Sequence, residues 1–391
     1  MNYMQEAKDM YDELVAIRRH IHENPEVGFN LPNTAQFVKD KLISYGIEPQ
    51  DIGENGVTAL FGKPGGKTIM LRADMDALPI EEQSGEPFSS TNGYMHACGH
   101  DIHTTCLLGV AKLLKENEDQ LKGQIKLIFQ PAEELLIGGD AMVKAGVLEN
   151  PKVDAAVGLH VLPMIPKTGI GFSTGAFMSS ANNFRIKIKG IGSHGSMPFN
   201  GVDPVFVGAK IITDIPEIIA RELPFDKSAV VTMGKFIGDG AINVIPAEAL
   251  IEGTIRTFTN STREYFKKRF PEMVSKIAET YRATAEVEFL SDCPPLINEG
   301  SVTDSSIEYL NQFSKETGVE LFELDPVHAS EDFAYYAMEV PSFFYNLCNP
   351  VYDSEELYPV HHPKAVFDEG IIPVGVASMA YIATRWLEDN Q

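Results

Sequence analysis

The sequence predicts an α/β protein with a mainly parallel sheet flanked by helices and an inserted α+β domain, and three observations carry that expectation. Three apolar runs, at 68–72, 124–129 and 154–159, lead into acidic or imidazole residues: Asp74 and Asp76, Glu133 and Glu134, and His160. Between them lie helix-spaced apolar positions such as Leu107, Val110, Ala111 and Leu114. Strands that alternate with helices imply a parallel sheet covered on both faces, with ligands bound beyond the strands' carboxyl ends. The third observation is a change of character after Gly175, where Phe184-Arg185-Ile186-Lys187-Ile188-Lys189 alternates strictly, as a strand with one wet face does.

The elements follow in order. Ala7, Met10, Tyr11, Leu14, Val15 and Ile21 predict an opening helix that stops before Pro25, with His20 and His22 as polar decoration of its end. After the three strands, the 184–189 strand is followed by a helix over 204–221, strands near 229–236 and 249–257, a helix over 263–282 and a strand over 285–289. That β-α-β-β-α-β order is the ferredoxin-like unit. From Pro294 the chain returns to the larger domain with a helix near 303–313, the cluster His328-Ala329-Ser330-Glu331-Asp332-Phe333, an apolar run at 342–347 and a last helix over 372–387. The expected division is a discontinuous catalytic domain, 1–180 and 293–391, and an inserted lid or dimerisation domain, 181–292. A chain of 391 residues supports two cores, since single cores stop growing at roughly 250–300 residues.

Charge narrows the function. With 32 basic and 55 acidic residues the net charge is -23, which repels nucleic-acid backbones and anionic membranes, so neither is an expected partner. The N-terminus lacks the pattern of a signal peptide, no apolar run reads as long enough to span a bilayer, and four scattered cysteines fit free thiols. The expected location is the cytoplasm.

The densest chemistry is Met95-His96-Ala97-Cys98-Gly99-His100-Asp101-Ile102-His103. A thiolate and an imidazole separated by one glycine can bend toward one ion, because Gly99 tolerates unusual backbone angles. The alternatives are a structural cysteine beside surface histidines, or a Cys/His nucleophilic pair, although residues two apart seldom set a base against a thiolate. The strand-end carboxylates favour metal. Cys98, His100, Glu134, His160 and one of the pair His361 and His362 are potential ligands, with Glu133 spare. Five ligands exceed one tetrahedral zinc with an open position and suit two divalent ions sharing a water, as amide hydrolysis requires. Zinc or manganese is expected, with cobalt or nickel admitted by the same donors.

Six motifs stand in order: Arg72-Ala-Asp-Met-Asp-Ala-Leu-Pro79, His96-Ala-Cys-Gly-His-Asp-Ile-His103, Gln130-Pro-Ala-Glu-Glu134, Gly158-Leu-His160, Gly192-Ser-His-Gly-Ser-Met-Pro198 and His361-His-Pro363. Together they resemble the amidohydrolase branch of the aminoacylase and carboxypeptidase G metallopeptidase family, which includes hippurate hydrolases, auxin-conjugate hydrolases and N-acetyldiaminopimelate deacetylases. The resemblance implies metal ligation by Cys98, His100, Glu134, His160 and His361, and a general base at Glu133. It also implies a supporting acid at Asp76, an oxyanion-stabilising His194 often delivered from a neighbouring subunit, and a carboxylate grip by Asn243 and Arg256. Asp74 and Asp101 are expected to be structural. Two departures stand out: His362 adjoins His361 and could substitute for it, and Asn30 and Asn33 occupy a segment where relatives often carry glutamates.

The leading expectation is a metal-dependent amidohydrolase of N-acyl-amino acids, acting as a homodimer or higher homo-oligomer, with hinges near 179–182 and 292–294. A dipeptidase or aminopeptidase with the same centre is the alternative, and a binding protein on a retired site comes last.

Overall fold

The computed structural model describes residues 2–351 and 357–391, and the chain gathers into two compact units. One comprises Met1–Gly175, Asn298–Asp325 and Asp332–Gln391, and the other Ala176–Ile297 and Pro326–Glu331. The return of 326–331 to the second unit is announced by no sequence pattern.

The first unit is built on an eight-stranded sheet in the order Pro49–Ile52, Gly56–Gly62, Gln124–Gln130, Thr68–Asp74, Ala155–Leu162, Ser342–Cys348, Gly169–Phe172, Leu321–Glu323. Its four central strands run parallel. The flanking strands Gly56–Gly62 and Gly169–Phe172 pair antiparallel, so the sheet is mixed at its margins and mainly parallel where the motif-bearing strands lie. Every residue of Thr68–Asp74 is buried, which explains the apolar run Ile69-Met70-Leu71 at its heart.

Helices cover the sheet. His100–Glu116 buries Leu107, Val110, Ala111 and Leu114, and Ile372–Asp389 buries Val376, Ala377, Ala380 and Ala383 in the same core. The segment Glu369–Asp389 is long and apolar enough to cross a membrane by length and composition, contrary to the sequence reading, yet 83% of its most apolar window is buried inside the protein. Its hydropathy serves a core. The single opening helix divides into Tyr3–Asp9 and Tyr11–Glu23, with Met10 capping both.

The second unit carries a four-stranded antiparallel sheet in the order Ala229–Ile237, Glu248–Thr257, Asn182–Lys189, Thr284–Phe289. Phe184, Ile186 and Ile188 pack with Val207 and Ile211 of helix Pro204–Asp214 and with Phe266, Phe270 and Val274 of helix Asn260–Thr280. The intervening residues face water, where Arg185 pairs with Glu252 and Lys187 with Glu288. The helix expected over 204–221 ends at Asp214, and a separate π turn spans Ile218–Glu222.

Candidate metal centre

Gly99 caps the start of the His100–Glu116 helix with a left-handed φ of 85°. A Cβ there would lie 2.3 Å from Val161 Cγ1, so only glycine lets Cys98 and His100 turn inward beside the neighbouring strand. His100 is buried, and its Nδ1 donates to the Asp76 main-chain carbonyl at 2.8 Å. Because a carbonyl only accepts, the neutral ring keeps its lone pair on Nε2.

His160 is set in the same way. Its Nδ1 donates to the Val161 carbonyl at 2.7 Å, and its Nε2 lies 3.3 Å from Cys98 Sγ. It sits within strand Ala155–Leu162, where the sequence had suggested a position just past the strand's end. His361 comes from the far end of the chain, its amide bonded to the Ala97 carbonyl at 2.8 Å. Its Nε2 lies 3.3 Å from Cys98 Sγ and 3.3 Å from Glu134 Oε2. His362 stacks instead on Tyr358 at 4.4 Å and accepts the Lys364 amide on Nδ1, so His361 is the histidine that faces the sulfur.

Glu133 and Glu134 follow strand Gln124–Gln130, and the Asp76 carboxylate accepts both of their amides, at 2.9 and 3.1 Å. Asp76 thus fixes the glutamate turn by its side chain and His100 by its backbone. Glu133 Oε2 and Glu134 Oε1 each lie 3.8 Å from His100 Nε2.

Three groups follow: Cys98, His100 and His160; Cys98, Glu134 and His361; His100, Glu133 and Glu134, each with donor atoms within 4.8 Å of one another. The first two meet at one sulfur. Among the described residues, His100 Nε2 and Glu134 Oε1 are buried polar atoms without a hydrogen-bond partner, a costly arrangement unless something else satisfies them. Sulfur, nitrogen and carboxylate oxygen suit a borderline divalent cation.

The electrostatics agree. Burial pushes His100 down, but the charges of Asp74, Glu134 and Asp76 outweigh it and raise it to about 10. Burial, with Glu134, Glu133 and Asp74, pushes the Cys98 thiol well above its ordinary value. Such a field draws positive charge, and a divalent ion would displace both protons. In a fourth group, Asp74, His100 and His103, two members are already satisfied: Arg72 holds one Asp74 oxygen at 2.7 Å, His103 Nδ1 the other at 2.7 Å, and the Val161 amide occupies His103 Nε2 at 2.8 Å.

Within the second unit, His194 lies in a two-stranded ribbon opposite Val244, and Gly195 bonds the Asn243 carbonyl at 2.7 Å, so His194 and Asn243 are neighbours. The Ser196 amide donates to His194 Nδ1 at 3.2 Å, which puts the proton of a neutral ring on Nε2. Arg256 lies on strand Glu248–Thr257, half-buried, bonded to Ser330 Oγ and without an ion pair among the described residues.

His22 departs from its expected role. It is buried with Asp101 at 2.8 Å on one ring nitrogen and Glu82 at 3.0 Å on the other, and Arg18 bonds the same Asp101 oxygen at 2.7 Å. His20 stacks on Phe37 at 4.3 Å. His103, Arg72, Gln130 and Asp332 form a buried polar network that sequence reasoning left unassigned, although His103 stood inside the central motif.

Peptidase family M20/M25/M40 matches residues 70–385. The chain belongs to that family. This M20 member is 37% identical to N-acetyl-L-cysteine deacetylase of Bacillus subtilis, covering 97% of this chain and 89% of the relative. It is also 37% identical to IAA-amino acid hydrolase ILR1-like 5 of Arabidopsis thaliana, covering 100% and 90%. The crystal structure of the Bacillus subtilis YxeP protein, described as a dinuclear metal binding peptidase, superposes with a TM-score of 0.82 at 33% identity over 97% of this chain and 99% of that one. As an M20 enzyme the protein is a hydrolase acting on amide bonds.

Proposed function

We propose that the protein hydrolyses N-acyl-amino acids, releasing the acyl group from an amino acid with a free carboxylate. The observation that carries this reading is Cys98 Sγ at 3.3 Å from both His160 Nε2 and His361 Nε2, beside the unpartnered His100 Nε2 and Glu134 Oε1. Two divalent ions held by Cys98, His100, Glu134, His160 and His361 would supply carbonyl polarisation and an acidified water. Zinc and manganese both suit the donors, with cobalt and nickel as substitutes. Relatives named N-acetyl-L-cysteine deacetylase and IAA-amino acid hydrolase support this substrate class.

Glu133 takes the proton from the attacking water and delivers it to the leaving nitrogen. Asp76 holds the Glu133 amide and thereby sets where the base stands. His194, with Nε2–H free of Nδ1's bonds to Ser196, donates to the developing oxyanion. Arg256, a half-buried guanidinium with no carboxylate partner among the described residues, binds the substrate carboxylate with Asn243. The second unit acts as a lid and as the dimerisation module of a cytoplasmic homo-oligomer, hinged near 179–182 and 292–294. Its Ala229–Ile237 strand is an open sheet edge that exposes Val230, Phe236 and Ile237.

The test is release of acetate or benzoate from N-acyl-amino acids, compared with amino-acid release from free-amine dipeptides, for enzyme loaded with each metal in turn. Preference for the dipeptides overturns the substrate assignment, and full activity of the metal-free protein overturns the mechanism.

A further inference from the structure

His103 is buried at 1% exposure, points both ring nitrogens at partners and has no part in the mechanism above. Its surroundings give it a specific task. Strand Thr68–Asp74 pairs with strand Ala155–Leu162 only as far as Arg72 opposite Gly158. Beyond Gly158 that side of the strand has no ladder partner among the described residues, yet His160 and Val161 still have to be held. The His103 ring takes over, accepting the Val161 amide on Nε2 at 2.8 Å. The carbonyl of the same Val161 accepts His160 Nδ1–H at 2.7 Å, and the two rings lie 4.6 Å apart.

The tautomers are determined in turn. An amide can only donate, so His103 Nε2 is the acceptor, and His103 Nδ1 carries the proton that goes to Asp74 Oδ1 at 2.7 Å. Asp74 is anchored by Arg72 Nη1 at 2.7 Å, and Arg72 by Asp332 at 2.9 Å and Gln130 at 2.9 Å. Arg72, Asp74 and Asp332 are wholly buried, so the chain of contacts starts from a fixed point.

We infer that His103 is a positioning residue for the metal centre: by replacing the missing strand it sets residue 161, and through that residue's carbonyl it fixes the ring orientation of His160. This rests on the reading of His160 as a ligand. The competing role is a purely structural one, in which His103 exists to give the buried Asp74 carboxylate a donor.

Two substitutions separate these roles. His103→Asn keeps a donor near Nδ1 for Asp74 but is too short to reach the Val161 amide. His103→Gln places an acceptor near Nε2 and withdraws the donor from Asp74. Each protein, stripped of metal, is titrated with cobalt(II), following the sulfur-to-cobalt charge-transfer band from Cys98 and the dissociation constants by chelator competition. Metal-free melting temperature is the control for folding.

Positioning predicts that His103→Asn weakens binding about 10- to 100-fold and shifts the cobalt spectrum, whereas His103→Gln stays near wild type. The reverse order, or equal binding by all three proteins, overturns it. If the Asn variant lacks a metal-free melting transition, the Gln variant decides alone, and a tenfold loss in it overturns the inference. Wild-type protein that binds no cobalt would instead refute the metal-centre reading.

Discussion

Cys98 and His361 stand 263 positions apart in the chain, yet the sulfur of one lies 3.3 Å from Nε2 of the other. Loop 95–99 and the 361 turn are tied by the bond from the His361 amide to the Ala97 carbonyl, so the contact is built into the backbone. Cys98→Ser replaces the sulfur with a harder, shorter donor while leaving that backbone bond in place. Its expected outcome is a folded protein with reduced metal content by elemental analysis, and undiminished metal content would remove Cys98 from the ligand set.

The adjacent glutamates are expected to differ. Glu133→Gln should retain metal and lose about 10²–10⁴-fold in kcat, the range for a lost general base. Glu134→Gln should lose metal, since Glu134 Oε2 faces His361 at 3.3 Å. Metal retention with loss of turnover in Glu134→Gln would reverse the two assignments.

Arg256 has no ion-pair partner among the described residues, so its replacement leaves no protein carboxylate stranded. Arg256→Ala should raise KM for free-carboxylate substrates about 10- to 100-fold, from the roughly 1.5–3 kcal/mol of a hydrogen bond to a charged group. A matched amide without the carboxylate should be unaffected, and equal losses on both substrates would show that Arg256 reads something else.

A pH dependence of stability should arise at His22. Burial pushes this imidazole down, but Asp101 and Glu82 outweigh it and raise it from 6.5 to about 9. The folded state therefore holds the proton more tightly than the unfolded chain, so the contribution is complete below 6.5 and disappears as pH rises through about 9. Urea midpoints of metal-free protein should fall across that interval, and His22→Gln should flatten the decline. An identical slope in the variant would assign the dependence to other groups.

Gly99→Ala should disturb both the fold and the metal centre. The new methyl would meet Val161 Cγ1 at 2.3 Å and Phe367 Cε1 at 3.0 Å, at a residue whose φ is 85°. Overpacking costs about 1–3 kcal/mol and left-handed strain about 1–2 kcal/mol, so calorimetry should record a lower Tm. A wild-type Tm would mean that strand and loop relax without cost.

Local pattern determined the central parallel strands, the helix after Gly99 and the β-α-β-β-α-β order, because continuous burial, helical spacing and strict alternation are properties of neighbouring residues. It also exposed Cys98, His100, Glu133 and Glu134, since their motifs are short: one opens a helix and the other follows a strand's carboxyl end. The marginal strands Gly56–Gly62 and Gly169–Phe172 escaped, as their pairing depends on partners distant in sequence. The choice between His361 and His362 belonged to tertiary structure, for adjacent residues on a turn point apart and only the Ala97 contact decides which one faces the sulfur. His22 and His103 are the clearest cases. A histidine's role is set by the groups its two nitrogens meet, and Asp101, Glu82, Asp74 and the Val161 amide reach them only through the fold.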